Sequence, residues 1–272
     1  MITCKQLAQK IKDDVKAEVA KRDYEVSLSI ITVGDDPASA AYVNGKIRDC
    51  EEVGIAYSHI KLPESLTQDE LNMLVADTKA SGVIVQLPLP KHLDVHKAIA
   101  LAGSYKDVDG LGPFAIHTPC TALGIYEWLK YNMELAGKHA VIINRSELVG
   151  RPLAKLLLNA DMAVTVLHSK VNPLVQEMIY MNADVVVTAV GKPNFLSANA
   201  CYEHATIVDV GINRVNGKLC GDVNADGAYE TQTITPVPGG VGLLTRACLM
   251  RNVLDAADRQ HLKEVKRYAY RT

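Results

Sequence analysis

The first half of the chain alternates between two hydrophobic periods. Over residues 3–22 an apolar side chain recurs every four positions, which predicts an amphipathic helix that starts at a capping box of Thr3 and Gln6. Residues 26–33 are rich in β-branched side chains and precede a Gly-Asp-Asp-Pro turn, so they predict a strand. A helix stopped by Gly54, strands at 55–62 and 82–87, and a helix after residue 67 continue the pattern. This order predicts parallel strands.

The second half of the chain repeats the alternation. Strands are predicted at 139–143, 163–167, 184–190 and 206–210, and helices at 150–159 and 173–181. The loop-rich stretch 105–118 separates the halves, and a Pro/Gly-rich loop at 235–242 leads into a last helix. We therefore predict an α/β protein whose N-terminal three-layer domain, residues 1–118, receives the C-terminal helix 244–272. Residues 119–243 are predicted to form a Rossmann-like, doubly wound domain.

Composition and charge exclude several classes of function. The 272 residues are 48% hydrophobic and 22% charged with a formal net charge of -2, so no basic field attracts nucleic acid or anionic lipid. The six cysteines form no C-x-x-C pair and predict free thiols in a reducing compartment. We find no signal-peptide core and no apolar run of transmembrane length. A cytoplasmic protein that binds neither nucleic acid nor membranes is expected.

Polar residues in the first half form three candidate sites. Tyr42 and Lys46 lie four residues apart on a predicted helix, which suits stacking and proton transfer, although most such pairs are ordinary surface residues. Gly45 between them favours the close approach of a ligand or another backbone. Gln86 lies at the end of an apolar strand and either faces a cleft or is a satisfied edge residue. Asp109 belongs to an Asp-Val-Asp loop that fits recognition of a heterocycle or an Asx-stabilised turn, and a metal site is poorly supported.

The first loop of the second half lies where a dinucleotide's phosphates are expected. Only Gly150 matches a G-x-G-x-x-G pattern, but Asn144 can adopt the left-handed conformation of a tight turn. After the next strand an NAD site would carry an acid, whereas this chain has His168, Ser169 and Lys170. With Arg145 these residues predict a cationic pocket for a 2′-phosphate and favour NADP over NAD. Exposed basic residues without a ligand are the plainer alternative.

These motifs together resemble the bifunctional methylenetetrahydrofolate dehydrogenase/methenyltetrahydrofolate cyclohydrolase family over essentially the whole chain. Nine segments in register carry the resemblance: 33–39, 42–46, 85–90, 106–110, 119–121, 145–150, 190–193, 209–213 and 235–242. The chain departs from the family pattern at Asn144, where a glycine is usual, and in the loop 111–118, which is shorter. Ala122 and the pair at 243–244 also differ, where the family has Pro and Pro-Met.

The resemblance implies an enzyme that oxidises 5,10-methylenetetrahydrofolate with NADP and hydrolyses the methenyl product to 10-formyltetrahydrofolate. It implies a homodimer in which one cleft of each chain serves both steps, with folate on residues 1–118 and NADP on residues 119–243. Lys46 would be the general acid/base held by Gln86, Tyr42 would stack on the folate rings, and Asp109 would bind the pterin edge. The residues implied to approach the substrate by their backbone are Pro238, Gly239, Gly240 and Val241. Those implied to hold the cofactor are Asn144, Arg145, Ser146, Gly150, Ser169 and Ile212.

Three other functions stay open from the sequence. A short-chain dehydrogenase also uses Tyr-x-x-x-Lys, but there the nucleotide loop precedes the pair, and here it follows. An idle NADP-binding or regulatory protein could keep the fold, although Lys46 and Gln86 argue against it. A dehydrogenase with weak or absent cyclohydrolase activity is the third.

Overall fold

The structure is a computed structural model that describes residues 1–269. Its helices are α1 (Cys4–Val19), α2 (Pro37–Val53), α3 (Gln68–Ala76), α4 (Val95–Ile99), α5 (Cys120–Asn132), α6 (Gly150–Leu158), α7 (Pro173–Tyr180) and α8 (Val241–Ala269). Its strands are β1 (Ser27–Val33), β2 (Ala56–Leu62), β3 (Gly82–Val85), β4 (His139–Ile143), β5 (Ala163–Leu167), β6 (Val185–Thr188), β7 (Leu196–Ser197), β8 (Thr206–Asp209), β9 (Asn213–Val215), β10 (Lys218–Cys220), β11 (Val223–Asn224) and β12 (Thr233–Ile234). The chain divides into two units. Unit 1 comprises Met1–Ala8 and Thr121–Thr245, and unit 2 comprises Gln9–Cys120 and the chain from Arg246.

Unit 2 contains a parallel three-stranded sheet in the order β2-β1-β3. Every residue of β1 after Ser27 is buried, as the β-branched pattern predicts. Helix α2 begins where the Asp36 carboxylate accepts the Ser39 amide, and it ends at Gly54, whose φ of 80° is left-handed. The predicted capping box of Thr67 and Glu70 starts α3. Strand β3 ends at Val85, so Gln86 lies just past its carboxyl end.

The part of helix α8 that belongs to unit 2 packs on this sheet unit, as predicted. Asn252 donates to the Val108 carbonyl at 2.9 Å, and Arg22 donates two hydrogen bonds of 2.8 Å to the Asp258 carboxylate. Tyr24 stacks on His261 with ring centroids 4.0 Å apart. The helix begins three residues before the predicted 244, and residues 270–272 of that prediction lie outside the described residues.

Unit 1 contains a parallel five-stranded sheet in the order β12-β8-β6-β4-β5. The bounds of β4 and β5 coincide with the predictions, and β6 is shorter than predicted at both ends. Strands β9 and β10 form an antiparallel pair, and β7 pairs with β11. This architecture confirms the predicted α/β class with a Rossmann-like sheet.

Helix α5 is absent from the sequence prediction. Gly124 in its middle weakens helix propensity. A Cβ atom there would lie 2.8 Å from the Leu244 Cβ, so the glycine allows close contact with the first turn of α8 within unit 1. The tertiary contact outweighs the local preference.

Two predicted properties of the whole chain can be checked in the structure. All six cysteines are free thiols, five of them buried, as predicted. Among residues 1–269, no helix is both long enough and apolar enough to cross a membrane.

Candidate active site

One face of helix α2 carries the candidate catalytic pair in unit 2. Tyr42, Gly45, Lys46 and Asp49 are spaced three and four residues apart and therefore share that face. Lys46 is only 8% exposed. Its Nζ donates to Oε1 of Gln86 at 3.0 Å. The structure thus joins two residues that the sequence placed forty positions apart.

The Gln86 amide is itself oriented by the backbone. Its Nε2 donates to the Leu87 carbonyl at 2.7 Å, which leaves Oε1 directed to the Lys46 amine. An amide oxygen only accepts hydrogen bonds, so this contact occupies one N–H of Lys46 and leaves the rest of the nitrogen for another group. The arrangement can hold an amine in place for proton transfer.

Tyr42 lies one helical turn before Lys46 and is 36% exposed. Burial of its hydroxyl raises the pKa of Tyr42, and the positive charge of Arg246 lowers it to a smaller extent. The phenol is therefore neutral near pH 7, and a neutral, partly exposed ring is suited to stacking on an aromatic ligand.

The two acids of the Asp-Val-Asp loop have different environments. Asp107 is 1% exposed and accepts the amides of Gly110, Leu111 and Gly112 at 3.0, 3.3 and 2.6 Å. Burial raises the pKa of Asp107, and these amides partly offset the shift. Asp107 is thus the turn-stabilising acid, whereas Asp109 is partly exposed. No group of three or more His, Cys, Asp or Glu residues within the described chain is arranged to hold a metal ion.

Asn144 organises the loop after β4 in unit 1. Its Oδ1 accepts the Ser146 amide at 2.7 Å and the Gly150 amide at 3.1 Å, and its Nδ2 donates to the Ala189 carbonyl at 2.6 Å. The loop after β4 is thereby tied to the loop after β6. A Cβ at Gly150 would lie 2.0 Å from the Asn144 carbonyl oxygen, so only glycine fits.

The left-handed conformation considered for Asn144 is not adopted. The described non-glycine residues with positive φ are Asp161, Asn194 and Asn216. Asn144 shapes the turn through its side chain instead, because its amide both accepts and donates.

A buried carboxylate that the sequence analysis missed fixes the loop after β6. Asp222 is fully buried and accepts the amides of Val190, Gly191 and Lys192 at 2.6, 3.0 and 2.9 Å. The Asn213 side chain donates to it at 3.0 Å. Charge-assisted bonds to several amides hold a loop far more rigidly than a single contact would.

Asp209 extends this arrangement to the loop after β8. It accepts the amides of Gly211, Asp222 and Val223, each at 2.9 Å. Burial raises the pKa of Asp209, and the same three amides oppose the shift. A Cβ at Gly221 would lie 1.8 Å from an Asp209 oxygen, so that glycine gives room to the carboxylate. Asp209 lies two residues before Gly211, and Asp222 directly follows Gly221. Such pairs of an acid and a glycine are visible in the sequence and could have indicated these loops.

The remaining predicted cofactor residues lie beyond the carboxyl ends of the unit 1 strands. Arg145 follows β4, Ser169 follows β5, and Ile212 follows β8, and all three are exposed. The carboxyl ends of parallel strands share one edge, which is the edge where open α/β sheets bind ligands. The structure therefore places these residues on a common edge of the sheet.

The glycines of the 235–242 loop are required by the loop itself. Gly239 has a φ of 101°, and a Cβ at Gly240 would lie 2.3 Å from the Pro236 carbonyl oxygen. The Val237–Pro238 peptide is cis. These contacts account for the glycines without a substrate, and the role of Pro238 and Val241 in substrate binding stays a prediction.

Unit 1 has a parallel sheet, and polar side chains fix the loops at the carboxyl ends of its strands. This arrangement is typical of α/β proteins of the nucleotide-binding class. Two family models match the chain: the tetrahydrofolate dehydrogenase/cyclohydrolase catalytic domain over residues 2–109, and the NAD(P)-binding domain of the same family over residues 119–261. The chain belongs to the tetrahydrofolate dehydrogenase/cyclohydrolase family.

Individual relatives agree with this assignment. The bifunctional protein FolD of Campylobacter concisus is 44% identical, and the match covers 93% of this chain and 95% of that protein. The crystal structure of FolD methylenetetrahydrofolate dehydrogenase/cyclohydrolase from Campylobacter jejuni is 39% identical, with a TM-score of 0.89 over 94% of this chain and 98% of that one. The Trypanosoma brucei enzyme, solved with NADP and an inhibitor, is 31% identical, with a TM-score of 0.89 over 96% and 97% of the two chains.

The predicted family, fold class and enzyme class are confirmed by these matches. The predicted nucleotide cofactor agrees with the NAD(P)-binding domain description. The roles of individual site residues stay predictions.

Proposed function

We propose that this enzyme oxidises 5,10-methylenetetrahydrofolate to the methenyl form with NADP and hydrolyses that form to 10-formyltetrahydrofolate. The observation that carries the proposal is the buried contact of Lys46 with Gln86, inside the segment that matches the catalytic domain of the family. We assign folate binding to residues 1–118 with the C-terminal segment 244–272, and NADP binding to residues 119–243.

Lys46 moves the proton in the hydrolytic step. Water addition to the methenyl carbon releases a proton, which Nζ of Lys46 accepts. The same nitrogen returns a proton to N5 of the folate as the bond from N5 to that carbon breaks, and the formyl group remains on N10. General acid/base catalysis of this kind contributes about 10²–10⁴-fold to a rate.

Gln86, Tyr42 and Asp109 orient the reactants in this proposal. Gln86 fixes the direction of the Lys46 amine by its hydrogen bond. The partly exposed Tyr42 ring stacks on the folate rings, and the Asp109 carboxylate accepts hydrogen bonds from the pterin edge. The backbone of Pro238, Gly239, Gly240 and Val241 is proposed to approach the substrate.

NADP accepts the hydride when it is bound, and the protein supplies alignment. The residues at the unit 1 edge fit this cofactor. Arg145 and Lys170 are exposed cations after β4 and β5, and β5 is followed by His168 and Ser169 rather than by an acid. Asn144, Ser146, Gly150, Ser169 and Ile212 complete the proposed cofactor contacts.

We also propose that the enzyme is a cytoplasmic homodimer. Its free thiols fit a reducing compartment. Strand β2 is at the edge of its sheet and carries the exposed Tyr57, and an edge strand can pair with a second copy. Light scattering of the purified protein would show twice the 29.5 kDa chain mass if this is right.

The function is tested by absorbance of the purified protein with methylenetetrahydrofolate and either NADP or NAD. We expect faster reduction of NADP than of NAD and little accumulation of the methenyl form. Lasting methenyl accumulation would mean a dehydrogenase with weak cyclohydrolase activity. No reduction of either cofactor would contradict the proposal and favour an idle nucleotide-binding protein.

A further inference from the structure

Gly45 in helix α2 makes room for a side chain of helix α8. A Cβ at Gly45 would lie 2.0 Å from Nη1 of Arg246 and 3.1 Å from its Cζ. The sequence favoured the close approach of a ligand or another backbone at Gly45. In the structure the guanidinium of Arg246 lies against the helix there instead. Any side chain at position 45 would displace it.

Asp49 anchors Arg246 in this position. Nε of Arg246 lies 3.1 Å from Oδ2 of Asp49, and Lys12 Nζ lies 3.4 Å from the other oxygen. The Asp49 side chain is 5% exposed and the Arg246 side chain 22%. Burial raises the pKa of Asp49, and Arg246 and then Lys12 oppose that shift. The charged form of this buried carboxylate is therefore stabilised by both the guanidinium and the Lys12 ammonium.

The anchored guanidinium lies on the same face of α2 as the proposed catalytic pair. Position 45 is between Tyr42 and Lys46, and the charge of Arg246 reaches the Tyr42 hydroxyl. A guanidinium has five N–H donors in a planar fork that matches a carboxylate, and the contact with Asp49 involves Nε. Nη1 lies over Gly45, one helical turn from Tyr42, whose ring is proposed to stack on folate.

Folate carries negative charge at one end only. Its pterin and benzoyl rings are followed by a glutamyl tail with two carboxylates. A guanidinium next to the ring-stacking residue can pair with a tail carboxylate through charge and hydrogen bonds, whereas the pterin offers only uncharged acceptors.

We propose that Arg246 is a substrate-binding residue that pairs with a carboxylate of the glutamyl tail of folate, and that Asp49 positions it. This proposal rests on the proposed function. It assigns to Gly45 the task of admitting the guanidinium to the substrate-binding face of α2.

The test compares two substrates in two variants. One substrate is 5,10-methylenetetrahydrofolate, and the other is its analogue with both tail carboxylates converted to amides. For Arg246→Met we expect KM for the charged substrate to rise about tenfold, which corresponds to about 1.4 kcal/mol, because the tail carboxylate loses a charge-assisted partner. The analogue should show equal KM in wild type and variant, and KM for NADP should not change.

Gly45→Ala provides an independent variant that removes no charge. Alanine favours a helix over glycine, so folding is retained, while its Cβ displaces the guanidinium. We expect a smaller rise in KM for the charged substrate and none for the analogue. Arg259→Met is the matched control, because Arg259 is an exposed arginine on the same helix paired with Asp255.

Equal changes for both substrates in both variants would overturn the proposal, since a purely structural Arg246 cannot distinguish them. Selective loss for the charged substrate would support it. A wild-type enzyme that converts neither substrate would instead refute the proposed function, and the two failures are therefore distinguishable.

Discussion

The polar side chains that characterise the two candidate sites have different partners. In unit 2, Lys46 bonds to a single amide oxygen, and Arg246 is anchored on one carboxylate beside it. In unit 1, Asp222 accepts three backbone amides and Asn144 donates to one backbone carbonyl, all of them in the loop after β6. Lys46 and Arg246 thus keep side-chain nitrogens that the contacts with Gln86 and Asp49 do not use, whereas Asp222 and Asn144 shape loops of unit 1.

Because of this difference, we expect substitutions in the two units to affect different properties, activity in unit 2 and loop stability in unit 1. We expect replacement of the Lys46 nitrogen to slow the proposed hydrolytic step and to leave the fold intact. Replacing a loop-holding carboxylate in unit 1 leaves buried amides without an acceptor and disorders a binding edge. The predictions below follow from this difference.

The largest effect is expected for Lys46→Ala. Hydrolysis of methenyltetrahydrofolate should fall about 10²–10⁴-fold, the usual contribution of a general acid/base. Circular dichroism should show a preserved fold. Lys61→Ala, at an exposed lysine on β2, is the control and should hydrolyse normally. Unchanged hydrolysis in Lys46→Ala would remove Lys46 from the mechanism.

Asp222→Asn should have an intermediate effect of a different kind. Because its amide nitrogen cannot accept a hydrogen bond, at least one loop amide loses its partner, and the free energy of unfolding should fall by about 1–3 kcal/mol. KM for NADP should rise about tenfold, which corresponds to about 1.4 kcal/mol of binding. Urea unfolding and initial rates of NADP reduction measure the two quantities.

Asp226→Asn is the matched control for that variant, because Asp226 is an exposed acid four residues along the same segment. It should behave as wild type in both measurements. A similar loss in the control, or an unchanged Asp222→Asn, would show that the loop after β6 does not depend on this carboxylate.

The smallest effect concerns the ion pair that ties α8 to unit 2. Hydrogen bonds from Arg22 hold the pKa of Asp258 below its usual range, and Tyr24 adds to the effect. A depressed carboxyl pKa stabilises the fold above the unfolded pKa, and the stabilisation is lost as pH falls through the folded pKa. Asp258→Asn should therefore cost about 1 kcal/mol near pH 7, discounted for partial exposure, and progressively less below about pH 4.

Urea unfolding of wild type and Asp258→Asn across that pH range measures the difference. A difference that does not shrink in acid would contradict the assigned ion pair.

Much of the fold was predictable because local pattern and tertiary burial agree. The β-branched strands β4 and β5 have the predicted bounds, and the capping boxes at Thr3 and Thr67 start the predicted helices. Helix α5 was missed because Gly124 serves a contact that only the tertiary structure reveals.

Site residues were predictable from the sequence where their chemistry follows from the residue type. They were not predictable where their hydrogen-bond partners are backbone groups far away in the sequence. Lys46 and Gln86 stand out as polar residues in apolar surroundings, and the family motifs name them. The role of Asp222 was missed although Gly221 precedes it, because its partners are peptide amides about thirty residues earlier in the chain. Gly45 was noticed, but its partner Arg246 lies on a helix at the other end of the sequence.

The most direct test of the account measures both activities in Lys46→Ala and Asp222→Asn side by side. We predict a crossed result, in which Lys46→Ala loses more hydrolysis of methenyltetrahydrofolate, and Asp222→Asn loses NADP reduction at subsaturating NADP while it keeps hydrolysis. Parallel loss of both activities in both variants would contradict the assignment of the hydrolytic step to unit 2 and of NADP binding to unit 1.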